Sequence, residues 1–336
     1  MPEDIEKIKE RLRPHLSKLE ALRVECYATY LKRKDLALYI GVPLVVIALG
    51  LELFYMGGLP VIGFILGALI YYWVHACLKP YKLSYKKLVL PAVLKGFGDF
   101  KYDVSGCIDM DKIKKTHITP YYNRIKSDDY FHGNIDDIHF EFCELKLQVK
   151  RDKNTSTVFK GAAILLTMPF EFQAHTTVGR DIGKFANFLK DKLSNKESVR
   201  LENPEFERRY EVYSTDQQSA RYILSPAMLE RLIDLDTLFY KKLTIAKISK
   251  NKDLLEAHIS NMKGCMECEF WGQYALFMVP FTVNLFEAPS IEKTVYDLDD
   301  ISFIQDEIAM MTGIIQQLKI DYLAARKKAY GKIAQS

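Results

Sequence analysis

Three groups of residues have types and spacings that chemistry could use. The first is Asp128, Asp129, His132, Asp136, Asp137 and His139, which mixes carboxylates and imidazoles within a short stretch. Such donors suit a divalent metal, with Asp128, His132, Asp136 and His139 as the candidate ligands. But Gly133-Asn134 sits in their midst and marks a hairpin turn, where charged side chains are ordinarily solvated, so the pattern favours no metal here. The second group is Cys265-Met-Glu-Cys268, which could be half a zinc site or a redox pair. No second CxxC and no histidine pair stands at matching spacing, and on a strand residues three apart face opposite sides. The third is Asp216, Gln217, Arg221, Glu230 and Arg231, polar residues set among apolar ones. They could line an anion or peptide pocket, or Asp216 and Arg221 could pair and hold a turn. Ser214 and Ser225 have no nearby histidine, and no GxSxG, P-loop or GxGxxG run occurs. Sites assembled from distant segments leave no such local trace.

The chain has 336 residues, 49% hydrophobic and 27% charged, enough for a packed core. A net charge of +4 does not argue for nucleic acid. Six scattered cysteines form no disulfide framework and fit reduced thiols in a cytosolic compartment. No signal peptide is evident in the charged first 35 residues.

The elements that must position any site begin with a membrane anchor. Two apolar stretches, Leu36–Met56 and Leu59–Leu78, each have the ~20 residues that cross a bilayer as a helix. Gly57-Gly58 and Pro60 between them permit a reversal and a restart. Lys32, Arg33 and Lys34 precede the first span, and Lys79, Lys82, Lys86 and Lys87 follow the second, while the turn has no Lys or Arg. That asymmetry predicts a two-span hairpin in the cytoplasmic membrane with both termini cytosolic. The lysines after the second span also predict contact with anionic lipid headgroups at Lys79, Lys82, Lys86 and Lys87. Glu52, the carboxylate inside the spans, is a candidate proton-relay group. It is also about one helical turn from the Gly-Gly reversal, so it can simply reach the interface. Gly63 and Gly67 form a small-xxx-small pair for close helix packing, against the first span or a second copy.

Before the spans, residues 1–35 read as a cytosolic helix. Its heptad-like positions are Ile5, Ile8, Leu12, His15, Leu19, Leu22 and Cys26, with Pro14 as a break. After them, 79–298 reads as a cytosolic α+β domain. It has a helix over Lys82–Leu94 and a long hairpin of strands Ile138–Val149 and Thr157–Met168. The shifted apolar phase of the first of these strands predicts a bulge. A helix over Arg180–Leu193 and short strands at Val199–Leu201 and Tyr210–Tyr213 follow. Then come a helix opening at Pro226 and a second hairpin, Met266–Phe270 with Tyr274–Val279. Residues 299–332 form a heptad helix. Its positions Ile301, Ile304, Ile308, Met311, Ile315 and Leu318 either pack on their own domain or make a coiled coil with a partner or a second copy.

The run from Val199, VRLENPEFERRYEVYSTDQQSARYILSPAMLERL, resembles the signature of a bacterial family known as domain of unknown function 3137. Ile135–Phe142, Val158-Phe159-Lys160-Gly161 and Leu285-Phe286-Glu287 fit the same pattern, and the resemblance extends over nearly the whole chain. It implies an uncharacterised two-span inner-membrane protein with a cytosolic domain, often encoded near LemA-type helical membrane proteins, which makes such a protein a candidate partner. It brings no activity, cofactor or catalytic residue. The resulting expectation is a membrane-anchored binding or scaffold protein, non-enzymatic and without a cofactor. The alternative is a membrane-tethered metal-dependent hydrolase or other enzyme, using the Asp/His turn at 128–139 or the 199–232 run.

Overall fold

The computed structural model describes residues 5–55, 61–180, 196–248, 266–281 and 286–296, with 308, 309, 312, 313, 315–317 and 319 beyond them. The chain divides into two units. One comprises residues 97–285 with 1–2 and 305–336, the other 3–96 with 286–304.

The second unit is helical. Helix α1 (Ile5–Leu36) continues through a π-helical turn at Ala37–Gly41 into α2 (Val42–Tyr55). The wide turn lies just ahead of Pro43, which has no N–H to offer the carbonyl of residue 39. There the Val42 N–H reaches Ala37 O instead. Pro14 does not break α1 as its residue type predicts. The helix buries Ile8, Leu12, Leu16, Leu19, Arg23 and Cys26, a stripe at three- and four-residue spacing. Packing along that stripe outweighs the lost hydrogen bond. Leu16, not His15, holds the inward position, and His15 is exposed. The stripe lies along α4 (Lys79–Leu94), and Arg11 donates to Ala92 O at 2.8 Å.

The segment Glu6–Phe54 is long and apolar enough to cross a membrane, and α3 (Val61–Ala76) passes the same test together with α4, from which it is bent by 43°. Helices α2 and α3 pack antiparallel. Added methyls at Gly41, Gly63 and Gly67 would meet Ile70, Leu49 and Val45 in turn. At Gly63 a Cβ would lie 2.3 Å from Leu49 Cδ2, so the glycine is what lets the helices close. The Glu52 carboxylate accepts from the N–H groups of Ile62 and Gly63 at 2.7 and 2.9 Å, two of the unpaired donors that every helix start exposes. Glu52→Leu would leave both donors, the buried one of Gly63 among them, without that acceptor and is expected to cost about 2 kcal/mol. Glu52→Gln keeps an acceptor and should lose less. The readout is the unfolding midpoint of the full chain titrated with SDS; equal midpoints for the two variants would refute a capping role. The reversal expected at Gly57, Gly58 and Pro60 lies outside the described residues.

The first unit is built on a nine-stranded antiparallel sheet, among the described residues, in the order β1-β2-β3-β4-β9-β8-β5-β7-β6. Its strands are β1 (Asp99–Asp103), β2 (Arg124–Ile135), β3 (Ile138–Arg151), β4 (Asn154–Thr167), β5 (Thr176–Arg180), β6 (Glu197–Ser198), β7 (Tyr210–Ser214), β8 (Glu267–Trp271) and β9 (Tyr274–Pro280). Short helices α5 (Met110–Ile113), α6 (Pro204–Arg209) and α7 (Gln217–Ile223) and the longer α8 (Pro226–Ile248) complete an α+β unit. The two long hairpins stand where alternation and turn residues put them. Gly133-Asn134 is not a turn, however. Both residues lie in β2, and the reversal is at Asp136-Asp137, where Asp136 takes φ 55°. Gly133 serves close approach: a Cβ there would sit 2.5 Å from Asp99 O on β1.

The apolar phase shift in β3 is not a bulge of that strand. Phe140 and Phe142 face Phe100 and Phe131 on one side. Cys143, Leu145 and Leu147 belong to a core on the other side, so β3 is buried on both faces. The register shifts lie in its neighbours, at Asp129-Tyr130 of β2 and Val158 of β4. That second core also takes Ala163, Leu165, Leu276 and Met278 from the sheet, and Ile108, Ile113 and Ile118 from the segment between β1 and β2. Burial of those three isoleucines lays the 104–123 segment across the sheet face.

Candidate functional site

The 104–123 segment brings His117 over β8. Asp109 caps α5 by accepting from Asp111 N, and the Thr116 hydroxyl bonds Ile113 O at 2.8 Å and Thr119 at 2.7 Å. These contacts fix the chain just where His117 leaves it. His175 precedes β5; its N–H bonds the Thr215 hydroxyl at 3.0 Å, and its carbonyl accepts from Thr215 N at 3.2 Å. Glu269 lies in the middle of β8, opposite Thr177 of β5, with no solvent exposure.

The three side chains meet. Glu269 Oε1 bonds His117 Nδ1 at 2.7 Å and also His175 Nε2, while Oε2 accepts from the N–H groups of His117 and Ile118 at 2.8 and 3.2 Å. Lys196, just before β6, places Nζ 3.4 Å from His117 Nδ1 and donates to Thr177 Oγ1 at 2.8 Å. Burial pushes the Glu269 carboxyl up, but the hydrogen bonds and charges of His117 and His175 overcome it and hold the group down at about 2. Burial pulls Lys196 down to about 8, with Glu269 pulling the other way. The arrangement is a buried carboxylate that is ionised at neutral pH, with two imidazoles sharing one of its oxygens and an amine alongside. It can hold a cation among three donors. Among the described residues this is the group of histidine and acidic side chains whose ligand atoms converge, all within 4.8 Å of one another.

The candidates read from local spacing are placed as follows. Asp128 and His132 are in β2 and His139 in β3; His132 and His139 have ring centroids 5.8 Å apart, and His139 Nδ1 bonds Asn134. Asp136 and Asp137 pair with Lys319 at 3.4 and 2.5 Å. Cys268 is fully buried on the face of β8 opposite Glu269, and Cys265 lies outside the described residues. Asp216 and Arg221 do not pair: Asp216 caps α7 through Ser219 N, and Arg221 bonds Gln217 and Arg200 O. Arg231 bonds Gln317, and Glu230 is exposed.

Lys86 leaves the expected lipid-facing strip. It is 5% exposed and paired with Glu287 at 3.2 Å, because its position on α4 falls on the buried side with Tyr85 and Val89. Lys79, Lys82 and Lys87 are exposed. Of the heptad positions offered for a partner, Ile308 and Ile315 are each 1% exposed, buried in the chain itself. Ile301, Ile304, Met311 and Leu318 lie outside the described residues.

The segment 199–229 forms a groove of about 700 Å³, with Leu201, Leu224 and Leu229 beside Glu202, Glu205 and Arg221. Asn203 shapes it by capping α6, accepting from Glu205 N and Phe206 N at 3.0 Å each. Residues 157–267 match a family described as a protein of unknown function, DUF3137. The match is narrower than the near whole-chain resemblance read from the sequence. The matched stretch contains the groove, His175 and Lys196; His117 and Glu269 lie outside it. No curated protein matches the chain. Among solved structures, the crystal structure of the mycobacterial trehalose monomycolate transport factor A, TtfA, is 10% identical. It covers 68% of this chain and 92% of that chain at a TM-score of 0.31, too distant to bear on function.

Proposed function

We propose that the protein is a membrane-anchored binding protein, held by a two-helix transmembrane hairpin of α2 and α3 with both termini cytosolic. The observation that carries this is the closed α2–α3 pair. Glu52 and the glycines satisfy its inner side, while Leu44, Ile47, Leu51 and Phe54 on α2 and Ile62, Phe64, Ile65 and Leu69 on α3 remain exposed. Apolar surface of that extent is stable in hydrocarbon and not in water. Basic residues flank the open end of the pair, where Arg33 donates to Trp73 O at 2.7 Å and lies over the Trp73 ring. Lys79, Lys82 and Lys87 then face anionic headgroups, and the 199–229 groove offers an apolar floor with charged edges to a protein partner, a LemA-type helical protein being one candidate.

Two measurements test this. Protease added to intact spheroplasts should leave the chain whole, and lysis should expose it; cleavage before lysis refutes the topology. Recovery of the full chain from mild detergent as a monomer with nothing bound refutes the binding role.

A further inference from the structure

We infer that His117, His175 and Glu269 are the protein ligands of a divalent transition-metal site of the two-histidine, one-carboxylate kind that takes zinc. This goes beyond the binding role above and requires neither the hairpin nor a partner.

The donor set is right for the ion. Two imidazoles and a carboxylate with an open fourth position make a familiar zinc set. One ligand atom from each residue lies within 4.8 Å of the others. In a tetrahedral site with bonds of ~2.0–2.1 Å, ligand atoms stand about 3.3 Å apart. The 2.7 Å separation of His117 Nδ1 from Glu269 Oε1 must therefore open by about 0.6 Å, and the shorter contact of His175 Nε2 by somewhat more. With no ion bound, the two ring N–H groups close on the same oxygen, which is the geometry described here.

The supporting shell also belongs to a site. Glu269 uses Oε2 on two backbone N–H groups, which leaves Oε1 fixed and aimed at both rings. Outer contacts of this kind orient metal ligands. The surroundings are closed below and open above. The Glu269 side chain is fully buried, while those of His117 and His175 are 18% and 30% exposed, so an ion has a path in and a solvent-facing position to fill. Lys196 Nζ already stands 3.4 Å from His117 Nδ1, the nitrogen that would bind the ion. A bound dication would repel it, so the lysine works against the metal and a neutral side chain there should help it.

The experiment uses the full chain in detergent, carrying a tag without histidines. It is stripped with chelator, loaded with Zn²⁺, desalted and assayed for metal, with affinity measured by competition against a chelating dye. One zinc per chain is expected. His117→Ala and His175→Ala should each weaken binding at least tenfold, and Lys196→Met should tighten it roughly tenfold. Thermal unfolding in chelator identifies any variant that has lost its fold. The tightening in Lys196→Met cannot come from misfolding. A folded wild-type chain without stoichiometric zinc overturns the proposal. So does zinc retained by the His117→Ala/His175→Ala double variant, which would assign the ion elsewhere, for example to Cys107 and Cys143, whose sulfurs are 3.9 Å apart. Unchanged or weaker binding in Lys196→Met overturns it as well.

Discussion

Gly161→Val is expected to destabilise the sheet unit by about 3 kcal/mol, enough to lower its melting temperature by roughly 10 °C. Gly161 lies in β4 opposite Pro280 of β9. A Cβ there would fall 2.0 Å from Val279 O and 2.7 Å from Pro280 Cα. Both are backbone atoms of the neighbouring strand, so no rotamer change relieves the clash. The strands would have to part where β4 links the β1–β3 side of the sheet to β9 and β8. Gly272→Asn is the control. Gly272 has φ 47° in an open hairpin turn, a conformation Asn tolerates, so little change is expected. Thermal unfolding of the full chain reads both; equal melting points for the two variants would refute the steric account.

Gly161 also shows what a sequence can convey. The run Val158-Phe159-Lys160-Gly161 stands out as a family feature, but nothing in it says that the glycine answers to a strand more than 100 residues on. The hairpins β3–β4 and β8–β9 were legible because alternation and turn residues are local properties. Within β2 the same local signal misleads. Gly133-Asn134 has turn chemistry, yet the glycine is there to admit β1, a tertiary requirement. Pro14 signals a break that packing of the α1 stripe overrides. Lys86 reads as one more exposed lysine until its place on α4 turns it toward Glu287. The candidate site was the least legible part. Glu269 is separated from His117 by 152 residues and from His175 by 94, and none of the three has a neighbour in sequence that forms a motif. What brings them together is burial of Ile108, Ile113 and Ile118 on the sheet face. The nearest local signal was a pair of acidic residues alternating with apolar ones in β8, Glu267 and Glu269 around Cys268, of which Glu267 pairs with Arg180.

Glu269→Ala, in metal-free protein, is expected to cost about 3–5 kcal/mol, a larger loss than that of a typical core truncation of equal size. The removed side chain is the acceptor for two backbone N–H groups and two imidazoles at once. Each donor left buried without a partner carries its own desolvation cost. Lys196 would lose its neutralising carboxylate as well. The pH dependence of the wild type should report the same group. The Glu269 carboxyl is held at about 2 in the folded protein against an ordinary value of 4.5. Because the folded value is the lower one, the stabilisation is present in full above about pH 4.5 and is lost as pH falls toward 2, about 3 kcal/mol in all. Glu269→Gln cannot ionise and should flatten that part of the profile while keeping an acceptor for some of the donors. Chemical denaturation of the chelator-treated chain between pH 7 and pH 3 measures both effects. If wild type and Glu269→Gln lost stability in parallel across that range, the acid sensitivity would reside in other carboxylates, and the two-histidine grip on Glu269 would not be what holds the 104–123 segment to the sheet.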